Sequence, residues 1–451
     1  MNANGRRGIA VRFPSPRLFA GTAVRRRCRR GFKVSRRMSR KTGEIFETSR
    51  YFLVAETQKR LRDMRFVPTI FTQLVEPLDR RRFDAIVKRH DADAYDKTFD
   101  SWKHLMVLIH AQLTGASSLR ALEANWNACA NAHYHLDCGA IARSTLADAN
   151  ARRPVEAFAD VLSMVAGLAD RSTRSGTKAL LRLIDSTPIP LGKLFDWAKS
   201  NGRIRGMKAH VVYDPGRDLP RVLDITDANV NDAQIGRRIE IEPGLTYVFD
   251  KGYCHYGWWR DIAAAGAFFV TRPKKTMGLT VETEGPHGPS RGEGFTVIAD
   301  QEVRLSSKGD SRLPVRLRRI EVLRDEDRKT IVLIANDMTR SPVEIAQAYK
   351  FRWLIELLFR WLKQHLKIRR FLGTSPNAVK LQIYAAMIAY ILVRLSAKAA
   401  RTRLDSLRFT ELVGQFLFAR RRLAAIDQPP PVNPSARRDR SDPNQLAFSY
   451  A

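Results

Sequence analysis

Cysteine is scarce: four residues in 451, Cys28, Cys129, Cys138 and Cys254, with no C-x-x-C pair and no even disulfide ladder. Such usage suits a reducing cytoplasm, which is the expected location. The C-x3-H-x-H-x2-C spacing of Cys129, His133, His135 and Cys138 is not that of a standard zinc finger and reads as ordinary packed residues. Long apolar runs are also missing. The longest, Ile383 to Val393, falls short of the roughly 20 residues that span a bilayer, so it reads as a buried core helix and no membrane partner is expected. There is no P-loop, no G-x-G-x-x-G and no nucleophile elbow. Acid is the minority charge, 46 Asp and Glu against 78 Lys and Arg, for a formal net charge of +32. That imbalance repels itself unless a polyanion neutralises it, and nucleic acid is the default partner.

What is present is enough for a sizeable core: a hydrophobic fraction of 44% over a length that fits two to three domains. Residues 1–63 are rich in Arg, centred on Arg25 to Arg30, and carry little apolar periodicity. They are read as disordered or as sequence ahead of the true start, because Met64 opens the more protein-like M-R-F-V-P-T-I-F. From 64 to 174 apolar residues recur at three and four, predicting an all-α domain that binds DNA. A helix-turn-helix reading of Leu136 to Arg152 would put Asn150, Arg152 and Arg153 near bases or phosphates. Beyond Asp427 the Pro-rich tail, 428–451, reads as disordered.

From Gly176 the rhythm changes to short β segments. Leu180 to Ile184 is an apolar run expected to end on Asp185, with Pro188 and Pro190 stopping its continuation as a ladder strand. Gly206 to Tyr213 and Pro220 to Ile225 follow as a hairpin, then Leu245 to Phe249 ends on Asp250. A helix, Tyr256 to Ala265, crosses over to a fifth strand, Ala267 to Val270, and a β-rich insert occupies about 276–337. Glu344 to Leu366 then reads as one helix, on which Tyr349, Arg352, Glu356 and Lys363 fall at i, i+3, i+7 and i+14 and form one polar stripe. Asp185, Asp250 and Glu356 are three acids that a compact fold could converge, and carboxylates brought that close must be protonated or bridged by cation. Oxygen donors without His or Cys suit Mg2+ or Mn2+.

The order strand-Asp185, meander, strand-Asp250, β insert, helix-Glu356 resembles the ribonuclease-H-like fold of DDE transposases. The stripe Y-x2-R-x3-E-x6-K, here Tyr349, Arg352, Glu356 and Lys363, is similar to the motif of the bacterial family named for insertion sequence four, and D-x-G-Y at Asp250 to Tyr253 agrees. The expected class is therefore α/β: a ribonuclease-H-like catalytic core over 175–427 with a β-rich insertion, preceded by an all-α N-terminal domain. The resemblance implies a transposase that binds the inverted-repeat ends of its element as double-stranded DNA, cuts them and joins them to target DNA. Asp185, Asp250 and Glu356 would be catalytic and hold two Mg2+, for which Mn2+ could substitute. Tyr349, Arg352 and Lys363 would bind DNA, and cutting two ends together implies a homodimer. Relatives can hold a flipped base with an aromatic of the insert, where Phe295 is the candidate. A metal-dependent nuclease on the same fold and a noncatalytic DNA-binding protein are the alternatives.

Overall fold

The computed structural model describes residues 67–429 apart from 95, 97, 170–176, 286–288, 306–314 and 366–370. The basic segment 1–63 and the tail from 430 onward lie outside the described residues. The first part of the described chain is helical: α1 (Ile70–Val75), α2 (Arg80–Arg89), α3 (Ser101–Thr114), α4 (Leu119–Ala128), α5 (Arg143–Arg152) and α6 (Val155–Ala169). Local chemistry sets the ends of these helices. Asp100 caps α3 by accepting from the Lys103 N–H, and Gly115, at φ 68°, closes it in the left-handed region that glycine adopts without a Cβ clash.

Strands follow: β1 (Leu181–Pro190), β2 (Gly206–Asp214) and β3 (Leu219–Asp227), then the short α7 (Asp232–Gly236), β4 (Thr246–Phe249), α8 (Tyr256–Ala264) and β5 (Phe268–Thr271). The insert supplies β6 (Leu279–Glu284), β7 (Ser290–Gly292), β8 (Phe295–Leu305), β9 (Leu317–Arg324) and β10 (Thr330–Ala335). The chain ends in α9 (Pro342–Lys350), α10 (Trp353–His365), α11 (Pro376–Ala399) and α12 (Ser406–Gln415). All the strands join one sheet in the order β3-β2-β1-β4-β5-β10-β9-β8-β6, with β7 on β8. The insert therefore extends the central sheet across the β5–β10 pair. β1 runs antiparallel to β2 and parallel to β4, and β4 is parallel to β5 through the crossover helix α8.

The central strands β1, β2, β4 and β5 are largely buried on both faces and alternate between two cores with the period of two that a pleat imposes, whereas β6 at the edge of the insert is mostly exposed. Leu183, Val211, Val248 and Val270 face the core built with α3, α6, α10 and α11; Ile184, Val212, Phe249 and Phe269 face the core under α8. In that second core Trp258 and Trp259 lie against Phe249 and Phe269 with ring centroids 4.8 and 4.7 Å apart. The apolar run Ile383 to Val393 lies within α11 and is buried throughout.

Two expectations about elements are corrected. Pro188 and Pro190 do not stop β1, which pairs with β2 as far as Pro190↔Gly206. Its pairing with β4 ends at Ile184↔Phe249, so beyond that point β1 is an edge strand, where a missing N–H is tolerated. The helix expected from Glu344 to Leu366 is two helices. At Phe351–Arg352 the bonding shortens, Arg352 N–H donating to the Tyr349 carbonyl and Leu354 N–H to that of Phe351, at 3.0 and 2.9 Å.

Candidate active site

Asp185 and Asp250 are each the next residue after the last register pair of two neighbouring parallel strands, Ile184↔Phe249. The pleat turns them to the same face, the one that Leu183 and Val248 share. On that face α10 packs against β1 and carries Glu356 in its first turn. The three acids thus converge through strand register and one packed helix. Asp250 also opens a short turn, its carbonyl accepting from the Tyr253 N–H at 3.0 Å.

Arg352 stands between two of the acids. Its Nη1 donates to Asp185 Oδ2 at 3.1 Å and its Nη2 donates to Glu356 Oε1. Burial pushes Asp185 from the ordinary 3.8 up to about 6, partly offset by Arg352 and the Ser186 N–H and reinforced by the charges of Asp250 and Glu356. Burial alone would weaken the Arg352 charge, but Tyr349, Asp185 and Glu356 outweigh it and hold its pKa above the usual guanidinium value. Tyr349 is pushed up to about 12 by burial, against the pull of Arg352 and with a contribution from Asp250, so its hydroxyl stays protonated and can donate.

A cleft of about 400 Å³ opens here, lined by Asp185, Ser186, Thr187, Glu356, Phe359, Arg360 and Lys363. Lys363 therefore faces the same space as two of the acids, two turns along α10. A larger cavity of about 770 Å³, near Val67 to Pro77 and Leu395 to Ala400, holds none of the motif residues, so the chemistry and not the volume marks the site. Sequence reasoning did not single out Arg360, whose guanidinium lies 5.2 Å from the Trp353 ring centroid at the cleft edge. Its position four residues after Glu356, on the same helix face, was the available signal.

Three candidate nucleic-acid contacts are placed differently. Asn150 and Arg153 are 3% and 2% exposed. Asn150 Oδ1 pairs with the His104 ring at 2.9 Å, and Arg153 donates to the Phe99 carbonyl and to Asp96, so both close the helical core and neither faces a groove. Arg152 stays at the surface. Phe295 is 3% exposed, its ring against Gly292, and offers no face to a base.

Among the described residues no group of three or more His, Cys, Asp or Glu side chains stands close enough to hold a metal ion. The guanidinium of Arg352 stands between Asp185 and Glu356 as a cation in its own right. Asp185, Asp250 and Glu356 offer oxygen donors alone, and the charges of Asp250 and Glu356 act on Asp185; that donor chemistry is the kind a hard divalent cation takes.

A family described as "Transposase DDE domain" matches residues 176–392, and one described as "Domain of unknown function (DUF4372)" matches residues 67–138. A protein of Sinorhizobium fredii named as a transposase, y4zB, is 64% identical over 305 residues, covering 68% of this chain and 85% of its own length. A Geobacillus stearothermophilus protein named as a transposase for insertion sequence element IS5377 is 28% identical over 267 residues, 58% of this chain and 70% of that one. A Synechocystis protein named as a transposase for insertion sequence element IS4SA is 26% identical over 283 residues, 59% and 76% of the two chains.

Proposed function

The chain belongs to the DDE transposases of bacterial insertion sequences, and from that membership we propose that Asp185, Asp250 and Glu356 are its catalytic carboxylates. The family is one of metal-dependent, DNA-cleaving transferases. The observation that carries the assignment is the convergence of the three acids on one face, by the register of β1 with β4 and the packing of α10 on β1. The strand order β3-β2-β1-β4-β5, with a helical segment before it and a β insertion after it, supports the ribonuclease-H-like reading of the core. The segment 64–174, whose described part carries α1 to α6, is assigned to DNA binding.

Asp185, Asp250 and Glu356 would hold two Mg2+ ions, replaceable by Mn2+. When bound, such ions activate the attacking oxygen of water or a 3′-hydroxyl and stabilise the leaving oxygen at phosphorus. The chain's own residues prepare that displacement. Arg352 keeps Asp185 and Glu356 gathered, and once displaced from them its planar fork is suited to a phosphate beside the scissile bond. Lys363 and Arg360 line the cleft and grip flanking phosphates, while Tyr349 donates its hydroxyl. The same geometry serves cutting at the inverted repeats and joining of the 3′ ends to target, with two copies acting on two ends. Replacing Glu356 by Gln tests this: binding to the element's ends persists within about threefold while Mg2+-dependent cleavage falls by at least about a thousandfold. Cleavage surviving in that variant overturns the assignment.

A further inference from the structure

We propose that Tyr253 and His210 form a positioning pair behind the sheet that fixes the separation of Asp185 and Asp250, an inference that rests on the assignment of those acids above. Ser186 follows Asp185 on β1 and points to the opposite face, where its register partner on β2 is His210. Tyr253 reaches the same place from the turn that Asp250 opens. Its ring is 1% exposed, and its hydroxyl lies 3.1 Å from His210 Nδ1. His210 Nε2 lies 2.9 Å from Thr226 Oγ1 on β3, and that hydroxyl donates to the Asp227 carbonyl.

In the arrangement in which Thr226 donates to the Asp227 carbonyl, it accepts from His210 Nε2–H and Nδ1 accepts from the Tyr253 O–H. The chain Tyr253 to His210 to Thr226 thus links the Asp250 turn to β2 and β3, and β2 pairs with β1 at Ser186↔His210. Burial lowers the His210 pKa below its ordinary value, against Asp232 and Asp224, which favours the neutral ring. The Tyr253 ring is held as well: a Cβ added at Gly236 would lie 3.1 Å from its Cδ1 and 3.2 Å from Trp258. For the Asp250 turn to slide along β1, a buried hydrogen bond must break without replacement by water. The pair touches no reacting atom and acts through the spacing of the two carboxylates.

The test uses the full chain and three variants, Tyr253→Phe, His210→Ala and His210→Asn, whose amide oxygen can stand near the Nδ1 position. Tyr253→Phe keeps the ring and removes the hydroxyl. Its Mn2+ affinity, titrated by electron paramagnetic resonance without DNA, is expected to weaken about tenfold, and its single-turnover cleavage at saturating end DNA to slow about 10- to 100-fold. Its Kd for end DNA stays near the wild-type value, and His210→Asn recovers most of what His210→Ala loses. Wild-type Mn2+ affinity and rate in Tyr253→Phe, or losses that match the fall in folded protein and DNA binding, would overturn the pair. So would equal behaviour of His210→Asn and His210→Ala. Absence of cleavage by the wild type itself would instead count against the assignment of the acids.

Discussion

Burial raises the Asp185 carboxyl from 3.8 to about 6 even with Arg352 beside it, so the fold holds its proton more tightly than the unfolded chain does. The side chain is 18% exposed, which leaves solvent little part in screening it. A raised carboxylate pKa destabilises the folded state as pH climbs: the penalty begins near 3.8, grows to about 6 and is constant above. At about 1.4 kcal/mol per pH unit it amounts to about 3 kcal/mol at neutral pH. Asp185→Asn is therefore expected to unfold at a higher temperature than wild type at pH 7.5, with the gap closing toward pH 4, while its cleavage is lost. A variant less stable than wild type at pH 7.5 would contradict this reading, and calorimetry across that range decides it. The residues of the candidate site could be picked out in the sequence because a four-residue motif at fixed spacing and two strand-end acids are visible without knowledge of the fold. The contact of Arg352 with both Asp185 and Glu356 could not, since one partner lies four residues away and the other 167. Asn150 and Arg153 misled for the converse reason: a polar residue on a predicted helix says nothing about which face the core takes.

At the scale of elements, the position of Glu356 depends on how α9 enters the fold. Ser341 and Glu344 form a reciprocal cap with Pro342 in the first turn, so the start of α9 is specified locally. Its attachment is not local. Arg318 on β9 donates from Nε to Asp300 on β8 at 2.6 Å and from Nη1 to the Arg340 carbonyl at 2.6 Å, and Arg340 Nη2 donates to Thr246 Oγ1 on β4 at 2.7 Å. The insert is thereby tied both to the entry of α9 and to the strand that presents Asp250. Asp300→Ala leaves the buried Arg318 guanidinium without its carboxylate partner and should cost about 3–5 kcal/mol in urea unfolding. A cost below about 1 kcal/mol would mean that the network does not hold the two elements together. Periodicity found the strands and helices because a two-sided sheet and a packed helix stamp their repeats on the chain. It read through the α9–α10 joint, where neither Gly nor Pro marks the change to shorter bonding at Phe351–Arg352. It also ended β1 too early, since proline penalises a strand only where a neighbour needs its N–H.

For the whole molecule, the charge of +32 makes DNA affinity steeply dependent on salt, whatever the sequence bound. Within that field the cleft residues act one phosphate at a time. Lys363→Ala should weaken binding to end DNA and lower the slope of log K against log salt by about one contact, with no change in which end sequence is preferred. An unchanged slope would remove Lys363 from the DNA path. One site is assigned both cutting and joining, and a transposase differs from a nuclease on the same fold only in the second step. The most direct measurement incubates the purified chain with Mg2+, labelled DNA ending in the element's terminal repeats and a supercoiled target, alongside Glu356→Gln. Wild type should yield label covalently joined to target through the cleaved 3′ ends, and Glu356→Gln neither cut nor joined DNA. Cut ends that never appear in the target would make the chain a nuclease and not a transposase.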